Sequence, residues 1–279
     1  MRVYISVDME GIAGVVHWAD TRLEGVEYER ARHWMTGEAN AAIEGALAAG
    51  ASEVVVNDSH GHMRNLLVEE LNPEAWLVRG SPKPYCMLEG LQAGCDAVLL
   101  VGYHALAGTG GGVLNHSFSG SAIASMRLNG LLVGEVGFNA ALAGGLRVPV
   151  VMVTGDEALS QEVSQVLPWA ERVVVKHGIT SWSARSLSPV KAQVLIRAAA
   201  ERALRHLPEM TPLAMSAPIR LEVAFFRPIH ADLAGQLPGA ERVNGTTVAY
   251  TAADMDTINR GWMMMLQAAA GGSAPGAYG

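Results

Sequence analysis

Five short runs rich in branched apolar residues constrain this chain most: RVYISV at 2–7, EVVVN at 53–57, AVLLV at 97–101, VPVVMVT at 148–154 and VVVK at 173–176. Runs this short and this continuously apolar read as strands buried on both faces, the signature of a parallel sheet covered by helices. The segments between them supply those helices. Residues 28–50 are dominated by Ala, Met, Glu and Leu and close on Gly50, as a helix does with a glycine just past its end. Stretches at 135–144 and 157–167 precede the fourth and fifth runs in the same way. The alternation predicts an α/β fold, with a mainly parallel open sheet and flanking helices, through about residue 180.

Beyond that point the pattern changes. Ser188 and Pro189 form an N-cap and first-turn pair for a helix that runs to Pro208. Residues 211–218 hold two prolines and read as a connector, and 219–226 alternates like a half-buried strand. A further strand at 246–251 follows the Asn244-Gly245 turn signal, and 256–270 reads as a closing helix. We therefore expect an α/β domain over 1–185, a smaller C-terminal α+β domain over 186–270, and a flexible tail over 271–279.

Composition narrows the partners. Lys and Arg number 20 against 27 Asp and Glu, a formal net charge of −7, which argues against a phosphate-binding surface for nucleic acid. No run of about 18 apolar residues occurs to span a bilayer. The opening segment reaches Asp8 and Glu10 before a secretory apolar stretch can form, so the expected compartment is the cytoplasm. Cys86 and Cys95 stand in no CxxC frame and read as ordinary reduced thiols.

Chemistry collects where the strands end. Three of them run straight into ligand-type side chains: VDMEG at 7–11, NDSHGH at 57–62 and GYHA at 102–105. In open α/β sheets the crevice beyond the carboxyl ends of the strands is where ligands bind. Asp8, Glu10, Asp58, His60, His62 and His104 can therefore converge, and a mixture of carboxylates and imidazoles suits zinc and neighbouring divalent metals. Asp8 and Glu10, two positions apart, point to one side of an extended segment, as do His60 and His62. Taken singly, each has an ordinary reading: Asp8 as a helix cap, Glu10 solvated, the histidines hydrogen-bonded. Recurrence at successive strand ends is what favours a site.

Glu135 begins a predicted helix, where the dipole favours an acid with or without a metal. His116 follows the glycine-rich stretch 108–112 and is a candidate acid, base or oxyanion stabiliser. That stretch lacks the GK[ST] and GxGxxG patterns of phosphate loops. Asp156 and His177, also at strand ends, read as supporting groups.

SVDMEG at 6–11 resembles the SxDxEG signature of the DppA-type D-aminopeptidases, peptidase family M55. Other segments resemble the family in order: YERARHWMTGEAN at 28–40, VNDSHGHMRNL at 56–66, KPYCMLEGL at 83–91, GYHA at 102–105, GEVGFNA at 134–140, VPVVMVTGD at 148–156 and LSPVKA at 187–192. The resemblance implies a dinuclear zinc centre, two ions per subunit, on Asp8, Glu10, His60, His104 and Glu135. Asp8 would bridge the ions, and His116 would work at the reaction centre. It also implies removal of amino-terminal D-residues from short peptides or amino acid amides, and a homo-oligomer, the type member being a ring-shaped decamer.

Two zinc ions would acidify a water and polarise the scissile carbonyl, and His116 would serve the tetrahedral oxyanion or the leaving amine. A two-metal phosphoesterase is the alternative within enzymes, but only Arg64 and Arg79 adjoin the cluster in sequence, and phosphate wants basic groups beside the metals. A non-catalytic, metal-stabilised binding protein is the third reading; its structural zinc would be closed by four protein ligands.

Overall fold

In the computed structural model, which describes residues 1–272, the first apolar run forms strand β1 (Arg2–Val7) and faces two cores at once. Val3, Ile5 and Val7 enter one core and Tyr4 the other, so the run has no solvent face to mark with polar residues. These four side chains are fully buried, at about 1.5–3 kcal/mol for each aliphatic one, which anchors β1 at the centre of the molecule.

The chain continues through α1 (Trp18–Thr21), α2 (Tyr28–Ala48), β2 (Glu53–Asp58), β3 (Ala75–Val78) and β4 (Ala97–Val101). Next come the hairpin β5 (Ile123–Leu128) and β6 (Leu131–Val133), then α3 (Glu135–Gly145), β7 (Val150–Asp156) and α4 (Glu157–Val166). β8 (Glu171–Thr180), β9 (Ser183–Ser186) and α5 (Pro189–Arg205) lead to β10 (Ile219–Phe225), α6 (Pro228–Ala234), β11 (Ala240–Arg242), β12 (Thr247–Ala252) and α7 (Met255–Gly271). Ser188 caps α5 as expected, accepting from the Lys191 amide, and Asp156 caps α4, accepting from the Leu159 amide.

The first sheet has the order β3-β2-β1-β4-β7-β8-β9 and is parallel except for β9, which folds back on β8. Helices α2 and α5 pack together over one face. The other face carries α3 and α4 and backs onto the second sheet, order β11-β12-β10-β5-β6, which is antiparallel throughout. The chain thus adopts the mainly parallel α/β architecture with an added α+β part.

The second sheet does not draw all its strands from beyond residue 185. β5 and β6 come from 123–133, between two strands of the first sheet, whereas α5 lies against α2 and belongs to the parallel layer. Pairing with β10 supplies what the modest apolar content of IASMRL does not advertise. The tail expected over 271–279 lies outside the described residues from position 273 onward. Among the described residues, no helix is long and apolar enough to cross a membrane.

β1 sits between β2 and β4, so the order of strand addition reverses there. A switch point of this kind is where the crevice of an open α/β sheet lies. The segments after β1, β2 and β4 all meet at that crevice.

Candidate metal centre

The loops are laced together before any side chain is considered. The Asp8 amide donates to the Val101 carbonyl at 2.8 Å, the Gly11 amide to Gly102 at 2.7 Å, and the Ser59 amide to Val7 at 2.8 Å. Such close approach requires two glycines. A β-carbon on Gly11 would stand 1.8 Å from the Tyr103 carbonyl oxygen, and one on Gly102, where φ is +70°, would stand 2.3 Å from that of Asp8. Lys176, wholly buried, donates to the carbonyls of Glu10, Ile12 and Val15 and holds the same loop from beneath.

On this frame Asp8, Glu10, His60, His104, His116 and Glu135 converge. His60 Nδ1 lies 3.2 Å from Asp8 Oδ1 and 2.9 Å from Glu10 Oε2. His104 Nε2 lies 3.5 Å from Asp8 Oδ2 and 3.3 Å from Glu135 Oε1. Asp8 therefore stands between the two imidazoles. His116 stacks on His104 with ring centroids 4.0 Å apart, and its Nε2 is 3.7 Å from Glu135 Oε1. Glu135, first residue of α3, also accepts from the Phe118 amide at 2.7 Å.

All three rings are oriented by backbone carbonyls. His60 Nε2 meets Thr21 O at 2.8 Å, His104 Nδ1 meets Ala105 O at 3.0 Å, and His116 Nδ1 meets Leu114 O at 2.9 Å. A carbonyl only accepts, so each of those nitrogens carries the proton. In a neutral ring the opposite nitrogen then turns a lone pair toward the carboxylates, the arrangement seen when the second nitrogen of a metal-binding histidine is tied to a carbonyl.

Three buried atoms in this cluster make no aligned hydrogen bond: Asp8 Oδ2, Glu10 Oε2 and His104 Nε2. Glu10 Oε2 is close to His60 without the alignment of a hydrogen bond. Each orphaned buried group costs about 1–3 kcal/mol, more when charged; a divalent cation relieves all three. The donors also fall into two overlapping groups, Asp8, Glu10, His104 and His104, His116, Glu135, each with its ligand atoms within 4.8 Å of one another.

Charge crowding shows in the acidities. Burial, reinforced by the Glu10 charge, lifts the Asp8 carboxyl to about 7. Burial works against protonation of His104, but Glu135 and Asp8 outweigh it and lift the ring to about 10. His60 is raised in the same way by Glu10 and Asp8. Glu10 and Glu135 stay below their ordinary values because His60 and His104 face them, although burial opposes this. His116 is lowered, first by burial and then by His104.

The family model for peptidase family M55, D-aminopeptidase, matches residues 1–264. This chain belongs to family M55. It is 39% identical over 272 residues to the D-aminopeptidase of Bacillus subtilis (strain 168), covering 96% of this chain and 98% of that one. Its structure is similar to that of the Zn-dependent D-aminopeptidase DppA from Bacillus subtilis, a self-compartmentalizing protease. The TM-score is 0.93 at 38% identity, over 97% of this chain and 98% of that one. The M55 chain is thus a hydrolase of the D-aminopeptidase family.

Other candidates of the M55 chain have structural employment. Asp58 accepts from the Asn65 and Leu66 amides and shapes the loop after His60. Asp156 caps α4 and accepts from Val113 at 2.7 Å, securing the segment that leads to His116. His62 meets the Tyr28 hydroxyl at 3.2 Å, and His177 pairs with Glu157 at the surface. A cavity of about 600 Å³ opens over the cluster, lined among others by Trp18, Met63, Cys86, Met87 and Phe118. Both cysteines are free, and burial pushes the Cys86 thiol up to about 12, so it is no thiolate. Arg64 and Arg79 do not line this cavity; the guanidinium at its rim is Arg22. Sequence reasoning missed Arg22 because α1 is four residues long, with only the His17/Asp20 capping box to mark it.

Proposed function

We propose that this chain is a zinc-dependent aminopeptidase that removes amino-terminal D-residues from short peptides or amino acid amides. The observation that carries the reading is the set of three imidazoles, each tied to a carbonyl through one nitrogen and turned by the other toward three buried carboxylates, two of which, Asp8 and Glu10, have an orphaned oxygen. The Zn-dependent relative of the same fold supports it. Asp8, Glu10, His60, His104 and Glu135 would hold two zinc ions.

Zinc in such a site supplies Lewis acidity, acidifying water and polarising a carbonyl. The chain's own residues do the rest. His116, protonated on Nδ1 by its bond to Leu114, keeps Nε2 free to take the proton of the attacking water and hand it to the leaving amine. Trp18, edge-on to His116 at 5.5 Å between centroids, keeps bulk water from that ring. The relative's self-compartmentalizing character supports a homo-oligomer here too, a decamer by the family resemblance, and light scattering on the purified chain reads its size.

The test is a zinc-loaded assay against matched D-Ala and L-Ala dipeptides and amides, with metal content measured on the same sample. About two zinc ions per chain, faster turnover of the D-substrates, and loss and return of activity on chelation and zinc re-addition are expected. Equal rates on both enantiomers overturn the stereochemical reading, and activity that survives complete metal removal overturns the zinc reading.

A further inference from the structure

Every charged side chain lining the cavity other than its imidazoles is acidic except one: Asp8, Glu10, Glu24 and Glu135 stand against Arg22. A free peptide held with its amino end at the cluster brings its C-terminal carboxylate to the outer part of this cavity, where Arg22 is the one guanidinium in the lining. The geometry points to Arg22 as the receptor for the C-terminal carboxylate of the substrate, an inference that rests on the peptidase reading above and makes the site selective for short peptides with a free carboxylate.

Arg22 is held in position on both sides. It ends α1, and the carbonyl of Thr21, the residue before it, receives His60 Nε2 at 2.8 Å, so the rim is tied directly to the cluster. The turn that follows is closed by the Gly25 amide donating to the Arg22 carbonyl at 2.8 Å; a β-carbon on Gly25 would stand 1.9 Å from Ala19 O. The guanidinium lies over the Trp18 ring, 5.3 Å from its centroid, and the same ring meets His116 edge-on at 5.5 Å. A cation on an indole face keeps its in-plane N–H fork available.

No ion pair with a carboxylate engages Arg22 among the described residues, including its neighbour Glu24. The fork is therefore free for a bidentate carboxylate. Two successive contacts, 5.5 and 5.3 Å, separate it from His116. These contacts place the two at most about 11 Å apart, a reach of no more than about three extended residues at roughly 3.3–3.6 Å each. A longer peptide carries its carboxylate past the rim, and a capped peptide has none to offer.

The test uses zinc-loaded full-length enzyme on two substrates with the same scissile bond, D-Ala-D-Ala and its C-terminal carboxamide. Wild type is expected to prefer the free acid, and in Arg22→Met the acid-to-carboxamide ratio of kcat/KM falls roughly ten- to hundredfold, the scale of a charge-assisted bidentate contact. Arg22→Lys, which restores the charge without the fork, recovers part of the ratio. An unaltered ratio in Arg22→Met, with both substrates turned over by wild type, overturns this assignment alone. No turnover of either substrate by wild type overturns the peptidase reading and this inference with it.

Discussion

Gly102→Ala tests the link between backbone packing and the metal centre. Position 102 has φ +70°, so an alanine there carries left-handed strain of about 1–2 kcal/mol. Its methyl would stand 2.3 Å from Asp8 O and 2.4 Å from Ile12 Cδ1. The Ile12 tip can rotate away. The Asp8 carbonyl cannot, because the Asp8 amide is bonded to Val101 and the Gly11 amide to Gly102 itself. Normal contact requires the oxygen to retreat by roughly 1 Å, and it carries the Asp8 carboxylate with it; a displacement of that size at a reacting centre costs on the order of 10²-fold in rate. Strain and overpacking together come to about 2–5 kcal/mol, or a fall in Tm of roughly 3–9 °C for a chain of this size.

Three readings check the argument: a thermal melt, zinc bound per chain, and kcat/KM on D-Ala-D-Ala. Gly130→Ala is the control, because φ there is +83° and nothing lies within 4 Å of the added methyl, in the β5–β6 turn away from the cluster. It should lose about 1 kcal/mol and keep its zinc and activity. If Gly102→Ala binds zinc and turns over substrate as Gly130→Ala does, the claim that loop contact sets ligand geometry is wrong.

Two further outcomes follow from single side chains. His116→Ala should retain its zinc and lose roughly 10²- to 10⁴-fold in kcat; near-normal turnover in that variant removes His116 from the chemistry. Glu38, wholly buried on α2, accepts from the Ala13 amide at 2.8 Å through one oxygen, while the other has no partner. Burial lifts its carboxyl from 4.5 to about 7. Between those values the folded chain holds a proton the unfolded chain has released, so stability falls as pH rises through the window. A shift of that size corresponds to about 3 kcal/mol. In urea titrations at several pH values, the stability of Glu38→Gln minus that of wild type should rise by about that amount from pH 4.5 to above 7, and a flat difference counts against a buried, proton-linked Glu38.

Legibility varied with how locally each feature is encoded. β1, β4 and the starts of α3, α4 and α5 lie where the apolar runs and capping residues put them, because burial on both faces and an N-terminal cap are decided within a few neighbouring residues. Of the six residues of the cluster, Asp8, Glu10, His60 and His104 were nameable from strand-end position, and Glu135 and His116 from a helix start and a glycine-rich loop together with the family resemblance. Their partition was less so: Asp58, His62, Asp156 and His177 share the same positional signal and are occupied with loops, a hydroxyl and a surface carboxylate. Arg22 carried no signal at all, since a four-residue helix has no periodicity to detect.

The sequence by itself determined the alternation of strand and helix and the kinds of donor atom available at the strand ends, since both are properties of short stretches of chain. Tertiary structure alone decided that β5 joins β10 across some ninety residues, which imidazole nitrogen meets a carbonyl, and that Asp8 stands between His60 and His104. Those outcomes depend on strand order and on ångström-scale contacts between segments remote in sequence, such as Gly102 against Asp8, which no local pattern records.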